Sequence, residues 1–267
     1  AVRIGEKLGL TMLAPLRKPA GPEELSAVIS AAARNGLPIG AVDLDYAIAA
    51  GQMVPHYQPK LRVADRKPVG AEALMRWEHP ARGTLGPAVF LPLAEKGAAI
   101  MPLTDFMVQR AARDCVMWRA GGHEVSVAVN ISASCLADPG FADRVAALVA
   151  MAGAEPAALT LEITETAAMA HTPAVTAALV RLSGHGFVLS MDDFGTGCSS
   201  LAELHRLPFH ELKIDRSFVC AMLRDREAMV ITRAVIGMAR RLGLRTVAEG
   251  VEDEDSMDAL GEMGCDM

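Results

Sequence analysis

Polar side chains recur within or at the ends of apolar runs that have the composition of β-strands. Glu72 lies inside VGAEALMRW, Asn130 follows VSVAV, and Lys213 and Asp215 flank Ile214. The carboxylates of the set are Glu72, Glu162, Asp192, Asp193 and Glu249. Five converging carboxylates would repel one another and shift their pKa values strongly. Hard divalent cations resolve that conflict, because Mg²⁺ and Mn²⁺ prefer oxygen ligands and asparagine adds a neutral one.

Two metal ions are indicated by the adjacent pair Asp192-Asp193, which can supply a bridging and a terminal carboxylate. Two ions a few ångströms apart clamp the attacking and leaving oxygens of a phosphodiester. The opposing interpretation is that each acid is an ordinary rim residue, that the Asp-Asp pair is a turn and that Lys213 is a surface charge. The pattern alone therefore predicts a metal-dependent barrel enzyme and leaves its substrate open.

Strands and helices alternate from Val54 onward, which predicts a largely parallel sheet. The predicted strands are Val54–Gln58, Val69–Trp77, Val125–Ile131, Leu159–Ile163, Phe187–Met191, Glu211–Ile214 and Arg245–Ala248. The clearest helices are Asp105–Ala120, Phe141–Ala152, Pro173–Ser183 and Glu227–Leu242. Seven strands with helical crossovers favour an eight-stranded α/β barrel that lacks one strand, and the alternative is an open doubly wound sheet. In a barrel, the polar side chains would meet at the carboxyl ends of the strands.

Composition narrows the class of protein. The 267 residues are 51% hydrophobic and 22% charged, which is typical of a globular chain. A net charge of −6 without a basic face argues against binding to long nucleic acid. The five cysteines include no CxxC pair, which indicates a reducing, cytoplasmic setting. No apolar run reaches the roughly 20 residues that cross a bilayer.

Nine ordered sequence blocks resemble the EAL family of cyclic di-GMP phosphodiesterases over roughly Leu44 to Asp266. They are YQPK, EALMRW, HP, FLPLAE, VNIS, LEITET, DDFGTG, LKIDRSFV and AEGVE. The resemblance implies a modified TIM-like (β/α)8 barrel whose first strand runs antiparallel. It also implies hydrolysis of cyclic di-GMP to linear pGpG with two Mg²⁺ or Mn²⁺ ions, in a protein that forms a homodimer. The alternatives are a receptor module that binds cyclic di-GMP without cleaving it and a different Mg²⁺-dependent barrel enzyme, such as a lyase acting on a carboxylate substrate.

The resemblance also implies residue roles. Lys213 would orient the attacking water or a phosphate oxygen, and Glu249 would act as the general base or as a partner of a metal-bound water. Glu252 would support the site, and Glu165 would anchor the DDFGTG loop, which the family links to metal binding and dimerisation. The implied metal ligands are Glu72, Asn130, Glu162, Asp192 and Asp193. The implied substrate-binding residues are Gln58, Leu74, Arg76 and Asp215, of which Arg76 would face a substrate phosphate.

Two departures from the family pattern stand out. Cys198 replaces the tyrosine that usually follows DDFGTG, and we expect it to tune the loop without abolishing the site. The chain stops at Met267, where the family continues with a QGY segment, a last strand and a helix. We therefore expect an EAL domain over 51–267 that is cut before its last strand, and a natural protein that continues with a QGY-like segment.

The N-terminal residues 1–36 resemble the end of a response-regulator receiver domain. Lys18-Pro19 would end the receiver's last strand with a cis peptide bond, and Glu24-Leu25 would begin its final helix. Residues 37–50 are predicted as a linker and a short helix. The resemblance implies an output domain coupled to an upstream receiver and a sensor kinase.

Overall fold

The computed structural model describes Gly21 and residues 41–169, 172–195, 204 and 206–267. Apart from Gly21, the receiver-like segment 1–36 lies outside the described residues, and so do the Lys18-Pro19 bond and Cys198. The described chain divides into two compact units. Of the described residues, one unit holds those up to Val54 together with Arg76–Gly97, and the other holds those within Pro55–Met75 and Ala98–Met267.

The first unit is a small assembly around Trp77. It contains α1 (Ala41–Ala49), β3 (Gly83–Leu85) and α2 (Pro87–Lys96), together with the start of β1 (Met53–Leu61) and the end of β2 (Pro68–His79). Trp77 is 2% exposed, and its Nε1 donates to Gln52 Oε1 at 3.0 Å. Its ring meets the Phe90 ring edge-on, with centroids 6.2 Å apart. A buried indole with a partner for its N–H is the arrangement that makes tryptophan a stable core residue.

The second unit carries the parallel part of the sheet and its covering helices. Its strands after β2 are β4 (Ser126–Asn130), β5 (Leu159–Thr164), β6 (Val188–Phe194), β7 (Glu211–Ile214) and β8 (Arg245–Ala248). Its helices are α3 (Ile100–Ala120), α4 (Ala133–Leu136), α5 (Phe141–Met151), α6 (Glu165–Ala168), α7 (Pro173–Gly184), α8 (Arg216–Ala221), α9 (Arg226–Arg241) and α10 (Glu254–Met263), with a 3-10 turn at Pro156–Ala158.

The strands are ordered β1-β2-β4-β5-β6-β7-β8, and β3 pairs with β2 off this path. The first strand runs antiparallel to the second, and each pair from β2–β4 onward is parallel. Each of these parallel strands lies beside the next one in the chain, as in a barrel, whereas a doubly wound sheet reverses its order. The fold is therefore the predicted TIM-like α/β barrel type with an antiparallel first strand.

The last residues of the chain lie beside β8. The Met267 N–H donates to the Thr246 carbonyl at 3.0 Å, and the Met267 carbonyl accepts from the Ala248 N–H at 2.8 Å. The Asp266 carbonyl accepts from the N–H of Val63, just after β1, at 3.0 Å. Alternating bonds of this kind are the pattern of a parallel strand pair.

Helix α9 shows how the sequence builds the outer layer. The buried positions Ala228, Thr232, Val235 and Ala239 recur at helical spacing, and Asp225 caps the first turn by accepting from the Glu227 N–H at 2.8 Å. No helix in the described part of the chain is long and apolar enough to cross a membrane.

Candidate active site

Lys213 is the centre of the candidate site. Strand β7 carries it into the second unit, where its side chain is only 1% exposed. Four carboxylates surround its Nζ: Glu249 at 2.6 Å, Glu162 at 2.9 Å, Asp192 at 3.0 Å and Glu72 at 3.5 Å. One ammonium group thus faces four carboxylates, which leaves the cluster with an excess of negative charge.

Parallel pairing explains why residues so distant in sequence meet. Glu72, Glu162 and Asp192 lie on β2, β5 and β6, and Glu249 follows the last residue of β8. Asn130 on β4 is the register partner of Glu162, and its Nδ2 donates to Glu72 Oε1 at 2.8 Å. Asn130, Glu162, Asp192 and Glu249 lie toward the carboxyl ends of their strands, the face on which barrel proteins place their sites. Glu72 lies nearer the middle of the longer strand β2, where it pairs in register with Ala128 of β4.

A group of three carboxylates could hold a metal ion. The nearest oxygens of Asp192, Asp193 and Glu249 all lie within 4.8 Å of one another. All three ligands are hard oxygen donors, which suits Mg²⁺ or Mn²⁺ better than softer metals. Asp193 adopts a left-handed backbone with φ of 56°, a conformation that aspartate tolerates better than most residues. The donor set of the described residues therefore fits a divalent cation.

The electrostatics of the cluster follow from burial and mutual repulsion. Burial raises the pKa of Glu249 to about 7; Lys213 lowers this pKa and Asp192 raises it. Burial likewise raises the pKa of Glu72, and the neighbouring Glu162 adds to that effect. Burial also acts to raise the pKa of Glu162, but its ion pairs with Lys60 and Lys213 outweigh it, so that this pKa is lowered. Lys213 is held protonated, because the surrounding carboxylates outweigh its desolvation and raise its pKa.

A second lysine, Lys60, shares the Glu162 carboxylate with Lys213 and was missing from the predicted site. Lys60 Nζ contacts Glu162 Oε1 at 2.8 Å and Glu211 Oε1 at 3.2 Å. The other oxygen of Glu211 faces Arg245 at 3.5 Å. The sequence did contain a signal for this layer, since Glu211 precedes Lys213 by two residues on β7 and so shares its face of the strand.

Part of this cluster lines a cavity of about 510 Å³. Small-molecule sites occupy roughly 300–1,000 Å³, so the cavity is of a suitable size for one. Glu72, Lys213 and Glu249 lie on its wall, and so do three other predicted site residues, Gln58, Leu74 and Glu252.

The remaining predicted residues take other places. Asp215 caps α8 by accepting from the Ser217 N–H at 2.9 Å. The pKa of the nearby Asp193 is raised chiefly by burial, and the negative charges of Asp192 and Asp215 raise it further. Glu165 Oε2 accepts from the Gly195 N–H at 3.0 Å, at the last described residue before the rest of the DDFGTG loop. Arg76 lies on the part of β2 that belongs to the first unit, and its contact with a substrate phosphate stays a prediction.

The fold and this site define a TIM-like α/β barrel protein with a carboxylate-rich candidate metal centre at the carboxyl ends of its strands. The chain belongs to the EAL family: the family's sequence profile, described as EAL domain, matches residues 41–267. This confirms the resemblance found in the sequence blocks.

Relatives support the same family. The chain is 42% identical over 224 residues to a Pseudomonas aeruginosa protein named bifunctional diguanylate cyclase/cyclic di-GMP phosphodiesterase MucR, covering 84% of this chain and 33% of that protein. It is 42% identical over 226 residues to cyclic di-GMP phosphodiesterase NbdA of the same organism, covering 84% and 29%. The chain thus spans about a third of the length of these curated relatives.

A solved structure gives the same result in three dimensions. The structure described as PaMucR phosphodiesterase in complex with c-di-GMP superposes with a TM-score of 0.80 at 42% identity. The match covers 84% of this chain and 91% of that one.

Proposed function

We propose that this chain hydrolyses cyclic di-GMP to linear pGpG in the presence of Mg²⁺ or Mn²⁺. The observation that carries the proposal is the carboxylate cluster around a buried Lys213 on the wall of a small-molecule cavity. The names of the relatives and the bound ligand of the similar structure supply the substrate.

The residues that would hold two metal ions are Glu72, Asn130, Glu162, Asp192 and Asp193. Bound divalent cations neutralise a phosphodiester and lower the pKa of a bound water, so that an acidic protein can bind and cleave an anion. The excess negative charge around Lys213 is the property of this chain that supports the assignment.

Glu249 is the proposed general base. Its pKa of about 7 in the metal-free protein is near neutrality, the range in which a carboxylate can accept and release a proton efficiently. It accepts a proton as the water oxygen bonds to phosphorus, and the phosphorus–O3′ bond breaks. A proton from solvent water neutralises the departing O3′, and Glu249 returns its own proton to solvent. The products are a 5′-phosphate and a 3′-hydroxyl, which opens the ring.

Lys213 is the proposed positioning group. Its Nζ lies 2.6 Å from Glu249 Oε1, so it fixes the direction in which that carboxylate points. Its ammonium group would also hold the attacking water or a phosphate oxygen in a desolvated site, where a fixed charge acts strongly. Gln58, Leu74, Arg76 and Asp215 are the proposed contacts to the rest of the substrate, and Glu252 supports the site.

The setting of the domain is also a proposal. We propose a cytoplasmic response regulator in which a receiver and a sensor kinase act upstream, on the basis of Lys18-Pro19 and Glu24-Leu25. We further propose a homodimer in which the loop anchored by Glu165 takes part.

The test is incubation of the chain with cyclic di-GMP and with Mg²⁺, Mn²⁺ or EDTA, followed by chromatography of the nucleotides. The expected product is pGpG, formed only with a divalent cation and lost in Glu249→Gln. Glu227→Gln, which changes an exposed glutamate of α9, is the matched control and should keep full activity. Binding of cyclic di-GMP without any pGpG would overturn the enzymatic proposal and favour a receptor module.

A further inference from the structure

Arg216 lies on the wall of the cavity that Glu249 also lines. It is the first residue of α8, and it lines the same cavity as Glu249 and Gly250. Gly250 adopts φ of 73°, and a Cβ added there would lie 2.9 Å from the Arg216 Cβ. The turn that carries Glu249 therefore packs directly against the base of the Arg216 side chain, and only glycine permits that approach.

The cationic side chains in and around this wall differ in whether they form ion pairs. Lys60 and Lys213 are buried in ion pairs with carboxylates. Arg216 is exposed, and it forms no ion pair with any residue of the described part of the chain. Among the described residues of the wall, it is thus the cation that remains available to a ligand, beside the acids Glu249 and Glu252.

A cyclic dinucleotide carries two phosphodiesters, and both need counter-charge in an acidic cavity. The proposed metal centre serves the phosphate that is cleaved, but it does not serve the other. Resting on the proposed function, we infer that Arg216 binds the phosphate that is not cleaved. A guanidinium group matches the paired oxygens of a phosphate with two parallel hydrogen bonds, and an uncompensated cation gains most from an anionic group.

Steady-state kinetics of Arg216→Ala on the full chain tests this assignment. The expected result is a KM for cyclic di-GMP raised roughly tenfold or more, the scale of one charged hydrogen bond, with kcat within about twofold of the wild type. Arg216→Lys should recover part of the loss, because it keeps the charge, whereas Arg216→Gln should behave like the alanine variant. Arg233→Ala, an exposed arginine of α9 outside the cavity, is the control for loss of one positive charge.

Equilibrium binding gives a second measurement that does not depend on turnover. In a Glu249→Gln background, calorimetric titration with cyclic di-GMP should show the same loss of affinity for Arg216→Ala and none for Arg233→Ala. Thermal unfolding identifies any variant that fails to fold, and Arg216→Gln and Arg216→Lys then decide the question.

An unchanged KM in Arg216→Ala, in a wild-type background that cleaves cyclic di-GMP, would overturn the inference alone. So would equal losses in the lysine and alanine variants, since a phosphate contact must respond to charge. A wild-type chain that neither binds nor cleaves cyclic di-GMP would overturn the proposed function, and this inference with it.

Discussion

Replacement of Lys213 by methionine isolates the electrostatic role of the buried ammonium group. Methionine keeps an unbranched side chain of similar length, so little cavity is created. The change leaves four carboxylates around an apolar side chain, all of them within 3.5 Å of the lost Nζ. Removing one partner of a buried ion pair costs about 3–5 kcal/mol. For a domain of this size that corresponds to a fall of about 6–20 °C in Tm.

The assay is thermal unfolding followed by circular dichroism in EDTA at about pH 8. Without the ammonium group, repulsion raises the carboxyl pKa values above those of the unfolded chain. The folded protein then binds more protons than the unfolded chain, so the deficit in stability should shrink as the pH is lowered from about 8 toward 5. Added Mn²⁺ should raise the Tm of the variant more than that of the wild type, because the cation replaces the missing charge and binds only the folded site.

Lys67→Met is the matched control for this experiment. Its side chain is 74% exposed and its Nζ lies 3.8 Å from Asp65, so its loss should cost no more than about 1 kcal/mol. A Tm for Lys213→Met within about 2 °C of the wild-type value in EDTA would refute the reasoning, since it would mean that the carboxylates need no internal cation.

Three further substitutions have expected outcomes. Glu249→Gln should lower turnover about 100-fold or more. Because burial raises the pKa of Glu249 to about 7, its negative charge at pH 8 destabilises the folded protein, and the variant's Tm in EDTA at about pH 8 should not fall below that of the wild type. A lower Tm would contradict this electrostatic argument. Gly250→Ala should destabilise the fold by more than about 1 kcal/mol in urea titrations, because φ at this position is 73° and the new Cβ would meet Arg216 of α8. The control Gly237→Ala on α9, where a Cβ has open space, should not destabilise the fold. Tyr57→Phe removes the 2.6 Å hydrogen bond to the buried Asp114 and should cost about 1–3 kcal/mol in the same titration, and an unchanged midpoint would show that the carboxylate finds another donor.

The strand pattern of this chain could be predicted well because its strands are short apolar runs that end at polar residues. Glu211–Ile214 and Arg245–Ala248 were predicted with the observed bounds. Helix α2 was missed, because Pro87 and Pro92 interrupt its pattern, although Pro87 starts the helix and Pro92 lies within it.

The site could be predicted in part for the same reason. Polar residues at the carboxyl ends of neighbouring parallel strands lie close together, because those ends meet at one edge of the sheet. The structure brings the carboxylates of Glu72, Glu162, Asp192 and Glu249 around Lys213. Their roles as metal ligands and base stay predictions. Lys60 and Glu211 were not predicted, because a single lysine or glutamate in a strand is usually a rim residue, and only strand pairing shows that these two share Glu162.

A line of alternating charges runs from the cavity toward the amino ends of the strands: Glu249, Lys213, Glu162, Lys60, Glu211 and Arg245. Each member is the neighbour of the next, so a neutral substitution at a buried inner member such as Lys213 or Lys60 leaves the carboxylate beside it without that counter-charge. For the buried inner members Lys213, Glu162 and Lys60, double substitutions of neighbours should therefore be milder than the sum of the single ones. Arg245 is not among the residues that line the cavity, but successive ion pairs through Glu211 and Lys60 connect it to the cluster around Lys213. A substitution of Arg245 should therefore alter the electrostatics of the residues that face the substrate.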